Sequence, residues 1–412
     1  PIYYGYWLIL AAFIAQFVSV GVQNYVIGPF MIPMTTDLEW TRAEFTLPRT
    51  IGQVVMAFTG FFIGGLVDRK GARGFMLGGV VILTIALFLT SKLTELWQWV
   101  VLNGVILTVG ASLVGNLVVN VTLAKWFVDF RGRAVAFAAM GISFAGVLLT
   151  PLATWVIDLY GWRVAWQLLA GASFLLVIPT ALAMRRAPED YDLNPDGKSH
   201  EDVKSGMAQK AEDDFNNSMT RSQALRSLTF YWLVIAFGMF GITIQVMLIQ
   251  TVPFMTDAGY DRTTAALMIT VASVPALVSK PIWGWLIDGS QPKPLASVSA
   301  AITGASLFVI VYGAHIESLP TLIAGFAILG FGWGGMIPLQ EVIWASYFGR
   351  RYLGGVRSAA MPFSIMLTAG APLATSYYFD VFGDYTGAIL IVAGANLLSA
   401  ILILFLKKPV PN

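Results

Sequence analysis

Long apolar stretches alternate with short polar clusters along the whole chain, and this alternation sets the fold prediction. Each stretch has about twenty residues or more, the length that an α-helix needs to cross the hydrocarbon core of a bilayer. Gly and Pro fall inside many stretches, which membrane helices tolerate because neighbouring helices satisfy the freed backbone groups. We therefore predict an all-α membrane protein with twelve transmembrane helices, numbered span 1 to span 12. The spans cover residues 6–34, 44–67, 74–91, 97–124, 132–157, 164–184, 228–254, 263–287, 294–314, 319–347, 356–379 and 385–406.

The positions of the lysines and arginines orient these spans. With the N-terminus placed in the cytoplasm, 19 of the 25 Lys and Arg residues fall in cytoplasmic loops or in the C-terminal tail. Only Lys280 lies deep inside a span. Because Lys and Arg are enriched on the cytoplasmic side, we expect a multi-pass protein of the inner (plasma) membrane with both termini cytoplasmic. The remaining five cations, on the outer side, are Arg42, Arg49, Lys92, Arg163 and Arg262.

Residues 187–227 interrupt the apolar pattern with a polar, largely acidic segment. Its composition is typical of a linker that is part helical and part disordered. This linker divides the spans six and six. We predict an N-terminal six-helix bundle at 1–186, a cytoplasmic linker at 187–227 and a C-terminal six-helix bundle at 228–412.

The two halves share short sequences at a nearly constant offset. Ala-Ala-Met at 138–140 and Pro-Leu-Ala-Thr at 151–154 recur at 359–361 and 372–375, an offset of 221 residues. Gly64 and Asp68 recur as Gly284 and Asp288, an offset of 220. Two pseudo-symmetric six-helix bundles with a site near the midplane form a transporter architecture.

Composition supports the membrane prediction and removes several other classes of protein. The chain of 412 residues is 57% hydrophobic and only 12% charged, whereas a soluble protein carries about 25% charged residues. It has no cysteine, hence no disulfide and no thiolate metal site. The Gly-rich stretches lack the Lys-Ser/Thr pair of a phosphate-binding loop, and no Ser/His/Asp set or metal cluster stands out. We predict neither an enzyme nor an ATP-driven pump, with no cofactor and no nucleic-acid partner.

The turn between spans 2 and 3 carries a recognisable motif, GGLVDRKGAR at residues 64–73. It resembles the signature loop of the major facilitator superfamily, and the resemblance extends over the whole chain. The resemblance implies the major facilitator fold and a conformational latch at this turn. In that latch Asp68, Arg69 and Arg73 pair with neighbouring helix ends, and Asp288 is the counterpart of Asp68 in the second half.

Looser motifs resemble the branch that contains monocarboxylate transporters and oxalate/formate antiporters. They are YGYW at 4–7, WTRAE at 40–44, WF at 126–127 with RG at 131–132, RAPE at 186–189, PDG at 195–197, VPF at 252–254, AGY at 258–260 and YFGRR at 347–351. The resemblance implies small carboxylates as substrates and a cation in span 8, usually in an Arg-Pro pair. Here the pair is Lys280-Pro281. Some relatives carry an acid one turn earlier, where this chain has Ala276, or a second lysine in span 1 or 11, which it lacks.

Lys280 is the strongest candidate for a substrate-binding residue. An intramembrane cation costs about 2.5–3.5 kcal/mol on insertion scales, so it faces a cavity or a partner. It lies eight residues before Asp288, hence ~12 Å from the end of the span at 1.5 Å per residue. The functional interpretation is a carboxylate anchor that suits a monoanion, and the alternative is a structural ion pair.

Glu341, on span 10, is the one acid that the sequence places clearly inside a span. It lies seven residues before Phe348, at a depth similar to that of Lys280. Two roles stay open for it. In the first role, it pairs with Lys280 or carries a coupling proton. In the second role, it pairs with arginines at the cytoplasmic gate.

Amide side chains form a second group of candidate substrate ligands. Asn116 and Asn120 are four residues apart and share one face of span 4. Spans 1, 4, 7 and 10 line the cavity in the superfamily that this chain resembles. Interhelical hydrogen bonding, worth about 0.6 kcal/mol for each amide, is the alternative. The remaining candidates on these spans are Gln23, Asn24, Gln245 and Trp333.

Arg49 lies five residues into predicted span 2. We expect its side chain to reach toward the lipid headgroups, as long cationic side chains do near helix ends. Attraction of anions into an outer vestibule is the alternative role.

The sequence thus predicts a secondary transporter of small organic carboxylates that works by alternating access. A monocarboxylate would move with a proton or in exchange for another anion, and we expect a monomer in the lipid bilayer. Another cargo (an aromatic acid, a sugar or a drug) stays open, as does a membrane receptor that transports nothing.

Overall fold

The computed structural model describes residues 3–40, 42–198 and 215–409. These ranges form helices and turns without a β-strand, and the all-α prediction is confirmed. The α-helices are Gly5–Val20, Ile27–Asp37, Arg42–Lys70, Arg73–Thr90, Leu96–Trp99, Thr108–Val114, Asn116–Trp126, Arg131–Ala183, Arg221–Arg226, Leu228–Asp257, Arg262–Gly289, Pro292–His315, Leu319–Phe348, Leu353–Thr368, Ala371–Phe382 and Thr386–Phe405. The π-helical segments are Gly21–Tyr25 and Val100–Leu107, and the 3-10 turns are Pro188–Tyr191 and Pro195–Gly197.

Within the described ranges, 11 helices are long and apolar enough to cross a membrane. Predicted span 11 consists instead of two shorter helices, Leu353–Thr368 and Ala371–Phe382. The second helix begins after Gly370 and has a proline in its first turn, where the missing N–H needs no partner. Spans 5 and 6 follow one another within Arg131–Ala183, and only Gly161 leaves the helical conformation there, with φ +83°. Glycine adopts this left-handed conformation without steric cost.

Spans 1 and 4 each contain a π-helical segment. A π-helical turn, Gly21–Tyr25, interrupts span 1. Span 4 contains the π-helical segment Val100–Leu107 and is then broken at Gly115, whose φ of −82° and ψ of −156° are extended. Such irregularities free backbone groups from the helical hydrogen-bond ladder and often occur at functional sites.

The chain folds into two compact units. Unit 1 comprises Pro1–Arg221 together with Phe348–Pro362, so the beginning of span 11 packs with spans 1 to 6. Unit 2 comprises Ser222–Tyr347 and Phe363–Asn412. The division of the sequence at residues 186 and 228 stays a prediction. The middle of the predicted linker, residues 199–214, lies outside the described residues.

Large aromatic side chains hold the spans of unit 1 together. Phe30 of span 1 stacks on Trp166 of span 6 with ring centroids 4.0 Å apart. Phe45 of span 2 stacks on Trp99 of span 4 at 5.1 Å, and the Trp99 indole N–H donates to the Phe45 carbonyl at 2.9 Å. In unit 2, a buried apolar cluster joins spans 7, 8, 9, 10 and 12, with members including Val246, Phe254, Met268, Leu307, Phe326 and Ile389.

Candidate functional site

Three amide side chains of unit 1 form a hydrogen-bonded chain between spans 1 and 4. The Gln16 Nε2 group donates to Asn120 Oδ1 at 3.2 Å, and Asn120 Nδ2 donates to Asn116 Oδ1. Gln16 and Asn120 are almost completely buried, whereas Asn116 is half-buried. The structure therefore brings together the two predicted asparagines and adds Gln16, leaving Asn116 as the accessible member.

Asn116 owes its position to the break in span 4. The helix Asn116–Trp126 begins immediately after the extended Gly115, so Asn116 is its first residue. Ser19 of span 1 lies against the break and donates its hydroxyl to the Ala111 carbonyl at 2.9 Å. A Cβ on Gly115 would lie 2.6 Å from Ser19 Oγ, so only glycine allows this close approach of spans 1 and 4.

The other two predicted amides of unit 1, Gln23 and Asn24, lie on the π-helical turn of span 1 and contact Arg49. The Arg49 guanidinium donates to the Gln23 carbonyl oxygen at 2.8 Å and to Asn24 Oδ1 at 2.5 Å. The expectation that this side chain reaches toward headgroups is wrong, because its guanidinium bonds to the backbone and an amide of the neighbouring span. The π-helical turn, which the sequence did not reveal, places these acceptors beside span 2.

The predicted latch residue Asp68 ends span 2 in a buried ion pair. One of its carboxylate oxygens lies 3.1 Å from Lys125 Nζ of span 4. The same carboxylate accepts the backbone N–H groups of Gly354 at 3.2 Å and of Gly355 at 2.8 Å. These N–H groups belong to the first turn of span 11, where the helix dipole favours a negative charge.

The other predicted latch residues of unit 1 lie at the surface. The side chains of Arg69 and Arg73 are exposed. Instead, Arg350 continues the contacts from Lys125. Its guanidinium donates to the Lys125 carbonyl at 3.1 Å and lies 2.6 Å from a Glu189 carboxylate oxygen. Lys125, Arg350 and Glu189 are functional candidates that sequence reasoning missed. Arg350 and Glu189 belong to the motifs YFGRR and RAPE, whereas Lys125 lies just before the WF motif.

The segment that follows span 6, residues 188–198, is bound tightly to unit 1, and we call it the strap. The Asp196 carboxylate accepts the backbone N–H groups of Val128, Asp129 and Phe130 at 2.9–3.2 Å, just before the helix of span 5. Lys198 Nζ lies 2.6 Å from the Asp129 carboxylate. The predicted linker therefore begins as an ordered element.

Tyr3 also fastens the strap, because its hydroxyl donates to the Trp126 carbonyl at 3.0 Å and lies 3.2 Å from the Asn194 carbonyl. Burial, reinforced by the negative charge of Asp196, raises the pKa of Tyr3 well above its usual value. The hydroxyl therefore stays protonated and remains a donor at any physiological pH.

In unit 2, Lys280 lies within the helix Arg262–Gly289 and is 3% exposed. Its ammonium donates to the Ala276 carbonyl of the preceding turn at 3.2 Å. Pro281 follows it in the same helix. Its depth in the membrane and its role as a carboxylate anchor stay predictions.

Glycines of span 10 bring that helix against the Lys280 region of span 8. A Cβ on Gly330 would overlap the Ala272 carbonyl oxygen, and one on Gly334 would overlap Ser279 Oγ. Such four-residue spacing of small residues is a packing motif of membrane helices. Ser279 Oγ and the Trp283 indole N–H both donate to the Phe331 carbonyl, at 3.2 and 2.9 Å.

Trp333 lies two residues after Phe331 on span 10 and packs against the buried cluster of unit 2. Its indole Nε1 is buried and has no hydrogen-bond partner among the described residues. A buried N–H donor of this kind costs free energy unless an acceptor reaches it. Gln245 of span 7 is half-buried, Glu341 is 6% exposed and Asp288 is half-buried. The roles of these four residues stay predictions.

Comparison with known proteins places the chain in one family. The sequence profile described as Major Facilitator Superfamily matches residues 10–261 and 231–412. Monocarboxylate transporter 13 of Bos taurus is 25% identical over 398 residues, which cover 96% of this chain and 87% of that protein. Monocarboxylate transporter 11 of Homo sapiens is 25% identical over 357 residues, covering 84% of this chain and 71% of that protein.

Solved structures agree in fold. The proton:xylose symporter XylE superimposes with a TM-score of 0.77 at 14% identity, covering 98% of this chain and 96% of that one. The human organic anion transporter MFSD10 gives a TM-score of 0.70 at 13% identity, covering 98% of this chain and 100% of that one. At such identities the likeness shows the fold alone, and the predicted fold is confirmed.

Proposed function

The chain belongs to the major facilitator superfamily, and from this premise we propose that it is a secondary transporter of small monocarboxylates. Its curated relatives include proteins named monocarboxylate transporters 11, 12 and 13. The two solved structures above are a proton:xylose symporter and an organic anion transporter, so the choice of a carboxylate depends on the residues of this chain.

The buried ammonium of Lys280 is the observation that carries the proposal. It is 3% exposed and donates to the Ala276 carbonyl at 3.2 Å, so the cation lies inside the protein rather than in water. A carboxylate that reaches this ammonium is attracted to it strongly, because the surroundings have a low dielectric constant. One ammonium suits one negative charge, which favours a monocarboxylate over a dicarboxylate.

In unit 1 we assign the substrate contact to Asn116. It is the accessible end of the amide chain, whereas Asn120 is occupied by its bonds to Gln16 and Asn116. An amide donates to a carboxylate oxygen without adding charge. Asn120 and Gln16 are then positioning residues that fix the orientation of Asn116.

Alternating access follows from the family, and Asp68 is the proposed latch. Its carboxylate holds the first turn of span 11 and Lys125 of span 4 at the same time. Release of these bonds frees the beginning of span 11 from spans 2 and 4. We propose that the turn lies on the cytoplasmic side of the plasma (inner) membrane, because the Lys and Arg excess is on that side.

Counterflow in proteoliposomes tests the substrate class. Vesicles containing the purified protein are loaded with unlabelled acetate, lactate, benzoate, oxalate, succinate or xylose, and uptake of the matching labelled compound is measured. We expect exchange of one or more monocarboxylates and none of succinate or xylose. Exchange of xylose alone would replace the carboxylate by a sugar, and no exchange of any compound would favour a receptor.

Lys280→Met is the matching variant, and Lys407→Met, which removes an exposed lysine of the same unit, is its control. We expect Lys280→Met to abolish exchange while Lys407→Met retains it. If Lys280→Met exchanges as well as the wild type, the cation has a structural role. Uptake driven by an imposed pH gradient, compared with uptake driven by an internal carboxylate, separates proton symport from anion exchange.

A further inference from the structure

Arg49 is a second cation within the apolar spans, and the proposed function gives it no role. It lies seven residues into the helix Arg42–Lys70 and next to Pro48. A cation at the centre of a span costs about 2.5–3.5 kcal/mol on insertion scales and less near its ends, and ionisable residues within spans commonly mark the paths of ions or substrates.

The neighbours of Arg49 differ from those of two other shielded cations of unit 1, Lys125 and Arg350. Lys125 pairs with Asp68 at 3.1 Å, and Arg350 pairs with Glu189 at 2.6 Å. Arg49 instead bonds to two neutral oxygens, the Gln23 carbonyl and Asn24 Oδ1. Among the described residues no acidic side chain forms an ion pair with it, so its charge is solvated by dipoles only.

The fold holds this guanidinium in place without neutralising it. The Gln23 carbonyl and the Asn24 side chain both project from the π-helical turn Gly21–Tyr25. Each of the two terminal nitrogens of Arg49 makes one of these bonds. A guanidinium has five N–H donors in a planar fork, so two bonds leave three donors for a ligand.

Asn24 adds a neutral donor at the same place. Its Oδ1 accepts from Arg49, which assigns the amide nitrogen to the opposite side of the group. The Asn24 Nδ2 group has no hydrogen-bond acceptor among the described residues. A fixed guanidinium beside an available amide N–H₂ matches the two oxygens of a carboxylate, which guanidinium groups bind in a bidentate manner.

We propose that Arg49 and Asn24 form an anion site for a carboxylate within unit 1, separate from Lys280 of unit 2. The inference rests on the proposed function for its choice of a carboxylate, whereas the site itself is defined by the contacts of Arg49 alone. A competing explanation is that Arg49 only fastens span 1 to span 2.

Asn24→Asp distinguishes these roles because it changes one atom. The new carboxylate forms an internal ion pair with Arg49 and strengthens the contact between spans 1 and 2. A purely structural Arg49 therefore works as well or better in this variant. An anion site is lost, because its cation is neutralised and its amide donor has disappeared.

The experiment measures carboxylate binding by purified full-length protein in detergent, using isothermal titration with acetate and with lactate. The variants are Asn24→Asp, Arg49→Lys, Lys280→Met and Asn24→Asp/Lys280→Met, and thermal unfolding monitors folding. Arg49→Lys keeps the charge and removes the planar fork. Sodium chloride at matched ionic strength serves as the probe for a site that takes any anion.

We expect two binding events in the wild type, of which Lys280→Met removes one and Asn24→Asp the other. The double variant binds neither probe. Arg49→Lys weakens the event assigned to unit 1 by ~10- to 100-fold, the effect of losing one charge-assisted hydrogen bond. Competition by chloride at equal concentration would overturn the carboxylate assignment in favour of a general anion site.

The two proposals fail in different ways. If Asn24→Asp binds both probes like the wild type, the anion site is overturned while the role of Lys280 stands. If Lys280→Met changes nothing and Asn24→Asp removes binding, the anion site stands and the Lys280 anchor is overturned. If the folded wild type binds neither probe, both proposals are overturned.

Discussion

The ammonium of Lys125 lies 3.1 Å from a carboxylate oxygen of Asp68, and both side chains are almost completely buried. Two further donors, the N–H groups of Gly354 and Gly355, complete the surroundings of that carboxylate. Removing one charge of a buried pair leaves the other uncompensated, which costs about 3–5 kcal/mol. The pair therefore ties the stability of unit 1 to the beginning of span 11.

Lys125→Met is expected to lower the thermal unfolding temperature of the purified protein strongly. The double variant Asp68→Asn/Lys125→Met should recover part of the loss, because neither charge then remains buried. Lys70→Met, which removes an exposed cation from the same end of span 2, is the control and should behave like the wild type. A double variant as unstable as Lys125→Met alone would mean that the pairing is not the origin of the effect.

Asp196 provides a test of the strap. Its carboxylate accepts three backbone N–H groups, and hydrogen bonds to a charged group are worth about 1.5–3 kcal/mol. Its φ is +61°, so glycine removes the carboxylate without adding strain. We expect Asp196→Gly to accelerate tryptic cleavage after Lys198. Asp192→Gly is the matched control, because Asp192 has a φ of +53° and is exposed. Equal cleavage of the two variants would contradict the capping role.

The amide chain separates a structural position from a binding position. Asn120→Leu leaves the buried Gln16 Nε2 group without its acceptor, at a cost of about 1–3 kcal/mol. We expect it to lower the unfolding temperature. Asn116→Ala removes the accessible end, and with it the acceptor of Asn120 Nδ2. We expect it to lower the apparent affinity for a transported monocarboxylate, and to lower the unfolding temperature less than Asn120→Leu does. The reverse pattern would assign the substrate contact to Asn120.

A substitution at Gly330 tests whether the protein needs the close packing of spans 8 and 10. A methyl group there overlaps the Ala272 carbonyl, and overpacking of this kind costs about 1–3 kcal/mol. Gly330→Ala should therefore lower the unfolding temperature and impair exchange, since the displaced backbone lies one turn from Ala276. Gly394→Ala, at an exposed helical position where a Cβ meets nothing within 4 Å, is the control. It should be neutral or slightly stabilising, because alanine favours a helix over glycine.

The sequence predicted the fold well for two reasons. Bilayer thickness sets the length of each apolar segment, and the uneven distribution of Lys and Arg orients the segments. Eleven of the predicted spans correspond to helices of membrane-spanning length, and span 11 divides where Gly370 and the following proline allow a break. The interruptions at Gly21–Tyr25 and Gly115 were invisible, because their sequences continue the apolar pattern without a change of period.

The sequence predicted those members of the candidate site whose charge makes them costly to place in a membrane. It did not predict members whose position depends only on the packing of neighbouring helices. Lys280 and Asp68 stand out by charge or by motif. Gln16 does not, because a single amide in an apolar run looks the same whether it joins a network or faces a neighbouring helix. The direction of Arg49 depended on a π-helical turn in another span, which no local pattern of span 2 encodes.

The strap has a consequence for the order in which the protein is made. Its fastening groups, Tyr3, Trp126, the backbone of residues 128–130 and Asp196, all precede residue 199. During synthesis, the strap can therefore bind to the first six helices before the remaining six have been made. This agrees with the general rule that N-terminal domains fold first. The contact of Glu189 with Arg350 forms later, because Arg350 lies in the second half of the sequence. A fragment that ends at residue 227 should already protect Lys198 from trypsin, which would make the strap a checkpoint for assembly of the first half.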